Sequence, residues 1–160
     1  MRNKIKELKE LIAEIQPLRG AGKRMVFTNG CFDILHVGHT RYLNAARTTG
    51  DVLIVGVNSD HSVRMLKGEK RPIVTEQERA EMLANLMVVD FVIIFPEETP
   101  AQLIEALRPD VIVKGGDWKR DAIVGADMVE SWGGKVVIAP LIDGASTTNI
   151  IAKVLSVYAD

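Results

Sequence analysis

The 160-residue sequence has one cysteine, Cys31, which excludes an internal disulfide framework and a cysteine-built metal site and suits a reducing compartment; the cytoplasm is expected. No apolar run approaches the ~18 residues of a membrane span, and the N-terminus is charged and helix-like, without an apolar signal core. Basic residues are not in excess. Lys and Arg total 20 against 21 Asp and Glu, so nothing advertises the broad cationic face of a nucleic-acid binder, and anion binding must be local. Neither GxGxxG nor GxxxxGK[ST] occurs, which removes the main support for hydride transfer and for P-loop phosphoryl transfer. Repeats, low-complexity tracts and long linkers are missing too. What is present is a 47% hydrophobic chain of single-domain length, enough to bury roughly two thirds of the unfolded surface.

Ile5, Leu8, Ile12 and Ile15 recur at steps of three and four among Lys and Glu, predicting an amphipathic helix over 4–15 that Pro17 and the Gly20, Gly22 pair end. Residues 1–22 are expected as a helical appendage, either a dimer arm or a cover for an apolar patch, and 23–160 as the main domain. Short β-branched runs predict strands over 25–28, 52–57, 91–95, 111–113 and 136–139. Helices are expected over 38–48, 75–86, 100–107, 122–132 and 147–158, with Thr75 and Glu78 as a capping box. Strands apolar on both faces and separated by helices imply parallel pairing with right-handed crossovers. The expected fold class is α/β, a doubly wound five-stranded parallel sheet of Rossmann-like form. Such sheets bind ligands beyond the carboxyl ends of their strands, where strand order reverses.

The first strand empties through Asn29-Gly30-Cys31-Phe32-Asp33 into His36-Val37-Gly38-His39 at a helix start, where unpaired N–H groups and the helix dipole favour a bound anion. Two of the three histidines occupy this tetrapeptide. Three residues apart on a first turn, they project to one side with open backbone at Gly38 between them. A triphosphate fits that arrangement, with imidazole donors reaching its oxygens. Metal ligation, or ordinary polar residues at a helix start, are the other readings of the pair by itself.

The surrounding residues carry a resemblance. Thr28 to Asp33, His36-x-Gly38-His39, Val57-Asn58-Ser59-Asp60 and Gly144 to Ile150 follow in order the pattern of the HxGH nucleotidyltransferase superfamily, over roughly residues 24 to 155. More narrowly, Arg64 to Pro72 and Arg108 to Asp117 resemble the adenylyltransferase domain of ADP-heptose synthase.

That resemblance implies roles residue by residue. His36, His39, Lys67 and Arg71 become the catalytic group, and Thr28, Asn29, Gly30, Phe32, Asp33, Gly38, Arg79, Ser146, Thr147 and Thr148 nucleotide contacts. Without it, Ser146 to Thr148 read as a helix cap, Lys67, Lys70 and Arg71 as a solvated basic loop and Arg79 as a surface ion pair. Lys114, Asp117 and Trp118 are implied on the acceptor side. Mg²⁺ is implied mainly on the substrate phosphates, with Asp33 as the protein's candidate contact. Cys31 has no base at useful spacing and reads as a small buried residue, His61 as a surface residue and Trp132 as packing near a helix end.

The implied reaction transfers AMP from ATP to D-glycero-D-manno-heptose 1-phosphate, giving ADP-heptose for lipopolysaccharide or another surface glycan. A homodimer fits this expectation, and no nucleic acid or membrane partner does. The sugar kinase domain often fused upstream in that family is absent from the sequence, so the kinase step is expected from another protein. Trp118, where tyrosine is expected in many heptose enzymes, keeps open a cytidylyltransferase acting on glycerol 3-phosphate or another polyol phosphate. A non-catalytic nucleotide-binding module is the rival of a different class.

Overall fold

The computed structural model describes residues 3–116, 118–140 and 144–159. Alternation of apolar strands with helices yields α1 (Leu8–Gly20), β1 (Met25–Gly30), α2 (Val37–Arg47), β2 (Val52–Asn58), α3 (Asp60–Lys67), α4 (Glu76–Ala84), β3 (Phe91–Phe95), α5 (Ala101–Leu107), β4 (Val111–Gly115), a 3₁₀ turn at Arg120–Ala122, α6 (Ala126–Ser131), β5 (Lys135–Ala139) and α7 (Thr147–Tyr158). The strands form one parallel sheet in the order β3-β2-β1-β4-β5. Strand order reverses at β1, whose neighbours are β2 and β4.

Successive strand residues serve opposite cores. On one face Met25, Phe27, Ile54, Phe91 and Ile112 pack with Leu11, Ile15, Leu103, Ile104 and Val129. On the other, Val26, Leu53, Val55, Val92 and Val111 pack with Leu43, Ala46, Ala80 and Leu83. Each of the Val, Leu, Ile, Phe and Met side chains contributes roughly 1.5–3 kcal/mol when fully buried.

Several boundaries shift by one or two residues, and three differences from the sequence expectation bear on the packing or the site. The first helix starts later and runs through Pro17 to Gly20, because Leu11 and Ile15 are buried and packing outweighs the hydrogen bond that proline forgoes near a helix end. Residues 4–6 are extended instead: Ile5 bridges to Val92, and Lys6 N–H donates to the Val92 carbonyl at 2.9 Å. The helix thus covers an apolar patch while the segment before it pairs with β3. The helix expected over 122–132 shrinks to Ala126–Ser131. Gly125 takes φ +85°, and a Cβ there would sit 2.7 Å from Ile104 Cδ1, so the chain turns tightly and tucks Ile123 into the core. The Thr75–Glu78 capping box forms as expected.

The third difference positions the site. β1 and β4 run on past the expected ends to Gly30 and Gly115, yet they pair with each other only at Val26–Val111 and Phe27–Ile112. β1 stays with β2 as far as Gly30–Val57, and β4 stays with β5 as far as Gly115–Ala139. The two halves of the sheet therefore part at their carboxyl ends. A cavity of about 620 Å³ opens there.

Candidate active site

Asn29 and Gly30 at the end of β1 and Lys114 and Gly115 at the end of β4 all line the cavity. His36 is the N-cap of α2, and its Nδ1 accepts a hydrogen bond from Gly38 N–H at 3.1 Å. In the neutral ring that bond leaves the proton on Nε2, which makes Nε2 a donor. His39 follows on the first turn, its ring stacked on His36 with centroids 3.9 Å apart. Gly38 is required between them. A Cβ there would lie 2.8 Å from His36 Cε1 and 3.1 Å from the Ala145 methyl, so the missing side chain lets the start of α7 approach α2.

Electrostatically the pair is poised for an anion. Burial, then the nearby His36, push the His39 imidazole down to about 4, and burial lowers His36. Both rings are neutral at pH 7. His39 Nδ1 is buried and has no hydrogen-bond partner among the described residues. α7 adds a second helix N-terminus at the same cavity: Ser146 spends its hydroxyl capping Asn149 N–H at 3.1 Å, and Thr147 donates to the Ile34 carbonyl at 3.4 Å.

Asp33 organises the basic loop. Its side chain is wholly buried and accepts from Ile73 N–H and Val74 N–H, both at 2.8 Å, and from Arg71 Nε. The terminal nitrogens of Arg71 make no hydrogen bond among the described residues, and Arg71 lines the cavity beside Lys67 at the end of α3. Asp33 is thus a fastener for 71–74. Its commitment to three donors, and the lack of any metal-holding group of three or more His, Cys, Asp or Glu among the described residues, give no fit to a resident cation.

Lys114 reaches across the parted strands and donates from Nζ to Asn29 Oδ1. Burial brings its ammonium down to about 8. Cys31 also borders the cavity, and burial raises its thiol, so it stays protonated at neutral pH.

Most sequence candidates converge here: Asn29, Gly30, Phe32, Asp33, His36, Gly38, His39, Lys67, Arg71, Lys114, Trp118, Ser146, Thr147 and Thr148 all line the one cavity. Asp117 lies outside the described residues. Two candidates sit elsewhere. Arg79 is buried and does not line the cavity, with Nε donating to the Val74 carbonyl at 3.0 Å, Nη1 to the Cys31 carbonyl and Nη2 to Asp60 at 2.8 Å, so that it ties together the segments at Cys31, Asp60 and Val74. Thr28 is also buried, its hydroxyl bonded to Tyr42. Tyr42, Asn58 and Ala145 also line the cavity; Asn58 and Ala145 fall in the motifs that carry the resemblance but were given no role, and Tyr42 was missed. For Tyr42 a signal existed, since it falls three residues after His39 on the same helix.

The cytidylyltransferase-like family model matches residues 27–153, which include every lining residue. The chain belongs to this family. It is a nucleotidyltransferase, with the HxGH motif at the mouth of β1. Curated relatives include the bifunctional protein HldE of Geobacter metallireducens, 55% identical over 157 residues, and that of Geotalea uraniireducens, 58% identical over 151. The matches take in 98% and 94% of this chain but 32% and 31% of the relatives, so the chain spans about a third of their length. A lipopolysaccharide core biosynthesis protein from Thermoplasma volcanium GSS1 has a similar structure, with TM-score 0.61 and 32% identity over 76% of this chain and 98% of that one. A pantoate-beta-alanine ligase from Francisella tularensis, at TM-score 0.60 and 14% identity over 93% of this chain and 76% of that one, shares the fold. No helix among the described residues is long and apolar enough to cross a membrane.

Proposed function

We propose that this nucleotidyltransferase transfers AMP from ATP to D-glycero-D-manno-heptose 1-phosphate. The observation that carries the reading is the convergence, at one parted pair of strands, of two groups suited to two different phosphates. His36, His39 and the N-terminus of α7 form one wall, suited to a triphosphate; Lys114, held by Asn29 on the other side, suits the phosphate of an acceptor. The resemblance of Arg64 to Pro72 and Arg108 to Asp117 to ADP-heptose synthase supports a sugar phosphate, as does the likeness to the Thermoplasma protein.

In this reading an oxygen of the acceptor phosphate attacks the α-phosphorus of ATP in line. A new P–O bond forms, the bond from the α-phosphorus to the α,β-bridging oxygen breaks, and pyrophosphate leaves with that electron pair. The acceptor oxygen is already anionic, so no general base and no covalent intermediate are needed. Positioning and neutralisation are the protein's share. The neutral imidazoles donate hydrogen bonds, and the triphosphate's charge draws their pKa values upward as it binds. Arg71, oriented by Asp33, and Lys67 face the same phosphates. Mg²⁺ accompanies ATP in this reading, bound to its phosphates.

Trp118, about half exposed in the cavity wall, favours a second reading, transfer of CMP from CTP to a polyol phosphate. Mass spectrometry of products from ATP or CTP with heptose 1-phosphate or glycerol 3-phosphate separates them. ADP-heptose with pyrophosphate is expected; a CDP product alone would overturn the adenylyl reading.

A further inference from the structure

Where β1 and β4 part, a second side chain besides Lys114 spans the gap. The Tyr42 hydroxyl donates to the Val113 carbonyl at 2.8 Å and hydrogen-bonds to the Thr28 hydroxyl. β1 and β4 stop pairing at Phe27–Ile112, so the phenol supplies the donor that a strand would have given Val113. The ring also lies against Gly115, where a Cβ would be 3.2 Å from Cδ2 and Cε2. Tyr42 therefore touches Val113 and Gly115, which flank Lys114, and Thr28, which precedes Asn29. Those are the chain neighbours of both partners in the Lys114–Asn29 bond.

Burial pushes the phenol up to about 12, so it stays protonated and takes no part in proton transfer. Its helix is the one that carries His36 and His39, with His39 one turn earlier. We propose that Tyr42 is a positioning residue that fixes the Lys114 ammonium relative to the His36–His39 pair, and so sets where the acceptor phosphate sits. This rests on Lys114 meeting that phosphate.

The test is a double-mutant cycle of Tyr42→Phe and Lys114→Met, read as separate KM values for ATP and acceptor and as acceptor dissociation constants by calorimetry. Tyr42→Phe keeps the ring and removes the hydroxyl. In the native background acceptor KM should rise about tenfold with ATP KM unchanged, and in the Lys114→Met background the hydroxyl's loss should cost less than about twofold. Equal losses in both backgrounds, or an unchanged acceptor KM, would overturn the proposal, because a merely structural role does not depend on Lys114. Thr28→Val removes the hydroxyl's other bond and takes the place of Tyr42→Phe if that variant fails to fold. Binding of inorganic phosphate by the same four proteins needs no acceptor identity. A native enzyme inert toward sugar phosphates would overturn the proposed function, whereas the phosphate cycle would still decide the role of Tyr42.

Discussion

Asp33 and Arg71 are joined at the cavity wall, the wholly buried carboxylate of one accepting from the guanidinium Nε of the other and from two backbone N–H groups. An aspartate read from sequence as a metal contact is in place the anchor of the basic loop. Asp33→Asn keeps an acceptor oxygen but removes the charge opposite Arg71, whose guanidinium is partly exposed at the cavity. The cost is that of a charge-assisted hydrogen bond, about 1.5–3 kcal/mol. The expected result is a drop of that order in urea stability and a rise in ATP KM. Full retention of both would remove the anchoring role.

His39→Ala is expected to lower kcat by about a hundredfold or more, the scale of losing one preorganised donor to a developing charge. Circular dichroism should be unchanged, since His39 Nδ1 has no hydrogen-bond partner to lose among the described residues. Turnover near the native rate in a folded variant would contradict the role.

The depressed titration of His39 has a defined sign. An unfolded histidine titrates near pH 6.5 and the folded one at about 4, so between these values the unfolded chain binds more protons and stability falls as pH falls. Above pH 6.5 the contribution is complete. With partial exposure discounted, the loss is about 1 kcal/mol at pH 5. Urea midpoints at pH 7 and pH 5 should diverge more for the native protein than for His39→Gln. Parallel declines would show that the ring is not desolvated.

Gly38→Ala places a methyl 2.8 Å from His36 Cε1 and 3.1 Å from the Ala145 methyl. An alanine is otherwise favoured in a helix by about 1 kcal/mol. The steric effect should dominate at the site, displacing the His36 ring and the start of α7. Expected are a kcat loss of tenfold or more and a weaker ATP affinity, with thermal stability little changed.

The histidine pair and Gly38 were legible because chain spacing sets direction at a helix start, and Ser146 was legible as a cap; that Ser146 to Thr148 belong with the histidines came only from the family resemblance. Arg79 was not legible, because a charge in a sequence carries no sign of its burial; only the three oxygens from Cys31, Asp60 and Val74 show that it is spent inside the protein. Tyr42 read as an ordinary helical aromatic until the parted strands gave its hydroxyl two partners. The interruption of the helix before α6 depended on Ile104 and Ile112, which crowd Gly125 from other elements.

By itself the sequence determined the α/β class, the order of most elements, the capping of α4 and the location of the HxGH turn, since periodicity and capping act within a few residues. Only the tertiary structure decided that β1 lies between β2 and β4, that β1 and β4 separate after two pairs, and that Lys114 closes the gap onto Asn29, 85 residues away. Such pairings depend on which strand edges meet once both faces of the sheet are buried. Propensity along the chain holds no record of that choice.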